Sequence, residues 1–175
     1  MTGWKRFWLL LPVMTLAVAL ATVSAFAQEG EDAVSFGNVR LWVYPEYDVP
    51  RLLVMMEREI VGVDIPATVR FLVPETAVMY SVGSKDEAGV YSGGPPDRVS
   101  SEVSGWDVIS YSLTSATFRV EYYDDTIRGN PDRSIDYQFR ALYPIADLIV
   151  YAQEPLGSLD YAVTGIEGSS PTDYD

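Results

Sequence analysis

The chain has 175 residues, neither Cys nor His, a formal charge of −13 and 48% hydrophobic residues. Without His there is no Ser-His-Asp triad and no imidazole metal site. Without Cys there is no disulfide, thiolate nucleophile, iron–sulfur cluster or lipid-modified N-terminal cysteine. The acid excess is the opposite of the basic footprint that nucleic acid or anionic lipid requires.

Lys5 and Arg6 precede an uncharged run of 21 residues from Phe7 to Ala27, which ends in Ala25-Phe26-Ala27. Small residues at those two alanine positions are what an export peptidase reads, so residues 1–27 are expected to be a secretory signal cleaved after Ala27. The run is also long enough to span a bilayer, and the alternative is an uncleaved anchor. Either way the positive flank stays inside and the remainder is extracytoplasmic. Removing residues 1–27 leaves 148 residues with 10 basic side chains against all 25 acids, a net charge of −15. That length builds one ordinary core. Cys-free export, with no Asn-x-Ser/Thr acceptor at Asn38 or Asn130, fits a bacterial envelope.

Residues 28–37 are small and acidic and read as a tether. From Val39 the pattern has period two: Val39, Leu41 and Val43 alternate with Arg40, Trp42 and Tyr44 up to Pro45. Leu52 to Ile60 is a second run, in which Glu57, Arg58 and Glu59 are expected to keep the end solvated. Val69, Phe71 and Val73 alternate between Pro66 and Pro74. Ile109, Tyr111 and Leu113 alternate next, then Phe118, Val120 and Tyr122, then Ile135, Tyr137, Phe139 and Ala141. Leu148–Ala152 and Leu159–Val163 supply two more strands. Residues 75–80 and 143–148 could each form one short helical turn. Gly83 to Gly105, rich in Gly and Pro, is long for a loop; it is either functional or divided by a short strand near Val90. Eight short, half-polar, Pro-bounded strands predict an all-β, two-sheet antiparallel sandwich over residues 38–164, with a flexible acidic tail over 165–175.

Three chemistries have candidate residues. A sandwich glycosidase or lyase needs two carboxyls about 5–9.5 Å apart, and Glu57 and Glu59 would share a strand face at roughly 7 Å. The third acid of an E-x-D-x-x-E pattern is missing, and alternate acids commonly serve only to solvate a strand, so no catalytic residue is assigned. Asp124, Asp125, Asn130 and Asp132 crowd one turn and could hold a structural calcium, which takes six to eight oxygen ligands; the competing reading is a polar hairpin. Trp42, Tyr44, Tyr91 and Trp106 are the candidate ligand-binding aromatics, since exposed rings suit glycan or protein contacts; β propensity alone would also put rings on strands. Trp106 in particular is either an exposed anchor or a core residue. Arg70, Arg119 and Arg140 on polar strand phases, with Glu121 and Asp136, suggest a cross-strand charge ladder.

The stretches Asn38-Val-Arg-Leu-Trp-Val-Tyr-Pro45, Pro66-Ala-Thr-Val-Arg-Phe-Leu-Val-Pro74 and Phe118-Arg-Val-Glu-Tyr-Tyr-Asp124 resemble a group of uncharacterised bacterial envelope proteins. The resemblance covers about residues 38–160. It implies a signal peptide, one extracytoplasmic β-sandwich and, often, a later membrane segment; it brings no catalytic residues. The chain reaches Asp175 without a second hydrophobic segment. The expectation is therefore a non-catalytic envelope module that binds protein or glycan, with no nucleic acid partner and no cofactor beyond a structural calcium. Membrane contact would come only from an uncleaved N-terminal anchor or a segment beyond Asp175. The alternative is a wall-polysaccharide hydrolase or lyase. Intact mass of the exported protein checks the first step: it is expected to begin at Gln28, and retention of residues 1–27 in a membrane fraction would refute cleavage.

Overall fold

A computed structural model describes residues 34–164. The expected signal and most of the expected tether and acidic tail lie outside the described residues. The described chain is all-β: β1 (Ser35–Pro45), β2 (Leu52–Val61), β3 (Ala67–Pro74), β4 (Val78–Lys85), β5 (Tyr91–Ser92), β6 (Asp97–Ser100), β7 (Trp106–Leu113), β8 (Thr117–Asp124), β9 (Ile127–Arg128), β10 (Ser134–Ile135) and β11 (Ile145–Ala152). They form a six-stranded sheet ordered β11-β1-β2-β8-β4-β5, a three-stranded sheet ordered β3-β7-β6, and a small β9-β10 ladder.

The alternating positions form one core between the two larger sheets. β1 contributes Phe36, Val39 and Leu41, β2 contributes Leu52, Val54, Met56 and Ile60, and β8 contributes Phe118, Val120 and Tyr122; from the opposing sheet come Val69, Phe71, Val73, Ile109 and Leu113. Period-two side-chain direction forces this: every second residue of a strand faces the same side, so one apolar phase buries together. On the other side of the three-stranded sheet, Leu72, Trp106 and Val108 form a separate buried cluster.

The structure departs from the sequence expectation in several places. The β1–β11 pair is parallel, with Leu41 opposite Val150 and Trp42 opposite Tyr151, so the sandwich is mixed rather than purely antiparallel. β1 starts at Ser35, inside the expected tether, and fully buries Phe36. A bulge between Phe36 and Val39 puts both residues inward although they are three apart, which hid Phe36 from a strict alternation. Residues 78–85 form β4 instead of a helical turn over 75–80. Ile145 opens a strand where 143–148 suggested a second turn. Of Ile135 to Ala141 only Ile135 is in a strand pair, yet Ile135, Tyr137 and Phe139 still pack against the core; the inward phase is kept without a neighbouring strand. Leu159–Val163 forms no strand, and Leu159 is almost wholly exposed. Gly83 to Gly105 is divided by β5 and β6.

The largest correction is Arg58. It follows Leu52, Val54 and Met56 at the next inward position of β2, and it is completely buried rather than solvating the strand end. Its guanidinium carbon lies 5.1 Å from the Phe36 ring centroid, 5.2 Å from Phe71 and 5.5 Å from Phe139. Nη2 donates to Met56 Sδ at 2.7 Å, while Nε and Nη1 have no partner among the described residues. Among the described residues no carboxylate pairs with it. Burial pulls its pKa down to about 10 from 12.5, against the smaller opposing effects of Tyr122 and Tyr137. The group remains charged at neutral pH, and three ring faces lie within cation–π distance of it.

Two substitutions separate these contributions in urea unfolding. Arg58→Met keeps the length and removes the desolvated charge, and it is expected to leave stability unchanged or raise it by up to about 4 kcal/mol, as when other buried ions are replaced by apolar groups. A clear loss would mean that the ring contacts outweigh desolvation. Phe118→Ala removes a buried ring that lies 6.1 Å from Phe36 and 6.2 Å from Phe71, and it is expected to cost about 3–5 kcal/mol.

Candidate functional site

The phase that buries Arg58 turns Glu57 outward, onto the outer face of the six-stranded sheet. Register places Arg40 of β1 opposite Glu57 of β2, and Glu57 opposite Arg119 of β8. Arg40 Nη1 donates to Glu57 Oε1 at 3.1 Å, and Arg119 Nη2 donates to Glu57 Oε2 at 3.5 Å. Arg119 also lies 3.9 Å from Glu121. The row continues to Tyr91 of β5, whose hydroxyl donates to Glu57 Oε2 and whose ring centroid is 4.0 Å from the Arg119 guanidinium carbon. The intervening strand supplies Gly83 opposite Arg119, so no side chain separates ring from guanidinium. A Cβ on Gly93 would meet Val82 O at 1.8 Å, so only glycine lets the chain after β5 pass this close to β4.

The charges of the row are fixed by one another. Burial pushes the Glu57 carboxyl up, but the Tyr91 hydroxyl, Lys85, Arg119 and Arg40 together outweigh it and hold the pKa below the ordinary value of 4.5. Partial burial, then donation to Glu57, raises Tyr91 to about 12. Glu57 is thus an ionised acceptor at neutral pH. Glu59 points to the same side and is exposed, and it lines with Glu57, Arg40 and Lys85 a smaller recess of about 210 Å³; the two carboxyls sit side by side on one strand.

Beside the row runs a groove of about 500 Å³, walled by Met79 to Gly83 on one side and Gly93 to Pro96 on the other, with Tyr91 and Arg119 at its base. Three aromatic pairs occupy other parts of the outer face. Trp42 stacks on Tyr151 at 5.4 Å with 13° between the planes, Tyr44 lies 5.6 Å from Tyr47, and Tyr80 meets Tyr123 edge-on at 6.1 Å. The Tyr123 hydroxyl donates to Asp48 at 2.7 Å, which with slight burial raises its pKa to about 12.

Of the four aromatics singled out from the sequence, Trp42, Tyr44 and Tyr91 therefore share this face. Trp106 does not: it is buried with Leu72 and Val108 on the other sheet, under the Arg140 guanidinium at 5.5 Å. The turn acids do not converge either. Asp124 is buried and accepts from Thr76 Oγ1 at 2.6 Å, Asp125 lies 3.9 Å from Arg128, and Asn130 and Asp132 are exposed. Among the described residues no three acidic side chains gather as a metal-ligating group. The expected charge ladder exists around Arg119 and Glu121 but runs through Arg40 and Glu57; Arg70 is exposed on the other sheet. Arg40 and Tyr91 were missed as members of the row. Arg40, Glu57 and Arg119 all occupy outward phases, which is the signal the sequence carried; the register that aligns them is not written in any one strand.

No family model matches the chain, and no curated protein matches it. Among solved structures it is similar to the seventh ScaB type I cohesin from Pseudobacteroides cellulosolvens, at 10% identity over 71% of this chain and 99% of that one, with a TM-score of 0.28.

The row has a direct acid signature. A carboxylate whose pKa is lowered on folding stabilises the fold above its unfolded pKa, and that contribution is lost as pH falls through the folded value. Glu57→Gln is expected to flatten the decline of stability below about pH 4.5, and also to bring the Tyr91 titration down from about 12. Urea midpoints across pH and tyrosinate absorbance check the two; identical acid slopes in variant and wild type would remove Glu57 from this role.

Proposed function

We propose that the protein is a non-catalytic, extracytoplasmic binding module of the bacterial envelope, and that its contact surface is the outer face of the six-stranded sheet around Tyr91, Arg119 and the adjoining groove. The observation that carries this reading is the surface itself: a groove lined by Tyr91 and Arg119 lies on a face that also presents the Trp42–Tyr151 stack and the Tyr80–Tyr123 pair. Glu57 is bound into the row through both carboxylate oxygens, Oε1 to Arg40 and Oε2 to Arg119 and Tyr91.

What the face offers is rings and fixed polar groups. Tyr and Trp supply contact area at small entropic cost, and Tyr80 is 69% exposed at the groove's edge. A groove of about 500 Å³ is within the ordinary range for recognition sites. An envelope protein is the favoured ligand over a glycan, because the groove wall is a run of strand backbone with guanidinium and phenol groups at its base, the mixture enriched at protein contacts.

The test compares three variants in crosslinking to envelope proteins and on a glycan array. Tyr80→Ala and Arg119→Ala are expected to lose at least tenfold in capture of the crosslinked protein with the thermal midpoint little changed for Tyr80→Ala. Trp106→Ala, a core substitution, is expected to lower the midpoint by several degrees. Signal on the array alone would replace protein by glycan as the ligand. Release of fragments from wall polysaccharide, abolished by Glu57→Gln, would establish the hydrolase instead.

A further inference from the structure

β4 has a neighbour along only part of one side. β8 pairs with it from Val78 to Ser84, but on the other side β5 reaches only Ser84 and Lys85. Ahead of β4, Arg98 closes the backbone: its guanidinium donates to Ala77 O at 2.5 Å and to Glu75 O at 2.9 Å. Between these two closures, no described strand or loop bonds to the backbone of Met79 to Val82 on the side away from β8. Asp86 N–H donates to Val90 O at 2.9 Å on that side, and strand alternation turns the Val82 N–H the same way. The chain passes close to Val82 O at Gly93 and then swings off; a side chain at Gly94 would meet nothing within 4 Å. The space left between is the groove of about 500 Å³. Backbone donors and acceptors without partners along a strand edge are a template for an added strand.

The base of the groove specifies one side chain of the occupant. Among the described residues, Arg119 is the only charged one that lines the groove. Its contacts to Glu57 and Glu121 are long, 3.5 Å and 3.9 Å, and its Nε has no hydrogen-bond partner among the described residues. A guanidinium has five donors, and a carboxylate is the acceptor that engages two of them at once. Pro95 and Pro96 on the far wall have no N–H to offer, so an occupant forms its ladder with β4.

We propose that the groove is a strand-addition site for an extended, proline-free segment of a partner protein that carries one carboxylate. The inference rests on the protein-binding reading of this face and specifies how the partner is held. The segment lies along Met79 to Val82, a run of about 13 Å. One of its carbonyls accepts from the Val82 N–H, its flank packs against the exposed Tyr80 ring, and its Asp or Glu side chain meets Arg119. Backbone bonds carry the affinity in such additions, so the partner's sequence matters chiefly at the acidic position.

Panning the exported protein against displayed random heptapeptides tests this. Enriched sequences are expected to share Asp or Glu at one position and to lack proline beside it. In calorimetry with the synthetic enriched peptide, N-methylation of single backbone amides at alternate positions is expected to weaken binding by about tenfold or more, since each removes a ladder donor. Asparagine in place of the shared carboxylate is expected to weaken it by about tenfold on wild-type protein and to make no difference on Arg119→Gln. Exchange of the Val82 amide is expected to slow when the peptide is added. No enrichment, N-methylated peptides that bind equally well, or unchanged Val82 exchange would each overturn strand addition. None of these touches the protein-binding reading, which stands on the capture of envelope protein through Tyr80 and Arg119. Capture together with peptides indifferent to N-methylation would mean a partner held by its side chains alone.

Discussion

The inward phase of the central strand β2 is the constraint on which the rest of this sandwich depends. Arg58 occupies an inward position of the central strand β2 and is enclosed by three phenylalanines drawn from different parts of the chain. Phe36 comes from the bulged start of β1, Phe71 from the facing sheet, and Phe139 from a segment with no strand partners of its own. A buried charge without a carboxylate is tolerated only where its surroundings supply some compensation. Here ring faces and a thioether supply it. The arrangement obliges all three phenylalanines to be in place together, and so ties the β1 entry and the 136–144 crossing to the core. The Tyr122–Tyr137 hydroxyl contact at 2.7 Å pins the same crossing one step away. Burial raises both phenols, Tyr137 to about 12 and Tyr122 well above its ordinary value, so the pair stays neutral beside the cation.

The two faces of β2 are consequences of one phase. Moving the strand by one residue would bring Glu57 into the core and Arg58 onto the surface, dismantling the phenylalanine cage and the outer row at once. The apolar load of Leu52, Val54, Met56 and Ile60 forbids that slip. The outer row is thus placed by hydrophobic burial on the opposite side of the strand, and Glu57 meets two arginines and a phenol because three neighbouring strands are held in register by their own cores. Glycine completes it: Gly83 and Gly93 allow a backbone approach that brings the Tyr91 ring onto Arg119 and leaves the adjacent groove open.

The Gly/Pro-rich stretch between β4 and β7 shapes this face by what it cannot do. β5 pairs with only Ser84 and Lys85 of β4, and prolines lack the N–H that would continue the ladder. The chain therefore swings away and forms the far wall of the groove. The same prolines protect the edge. One local feature both ends the sheet and opens a recess beside the charged row.

The amino-acid sequence by itself determined the all-β class and the inward phase of most strands. Alternation at Val39–Val43, Val69–Val73 and Phe118–Tyr122 is a property of each segment alone, and burial followed it. It also carried the inward position of Arg58, through the parity of Leu52, Val54 and Met56, although a charged triplet reads more naturally as a solvated end. Tertiary structure alone decided which strands lie side by side. The parallel β1–β11 pairing, the alignment of Arg40, Glu57, Arg119 and Tyr91, and the separation of Trp106 from the other candidate aromatics all depend on contacts between residues distant in the chain. Periodicity tells a side chain which way to face; it holds no information about its neighbour across the ladder, because register is set by the joint packing of both strands against a core that neither contains alone.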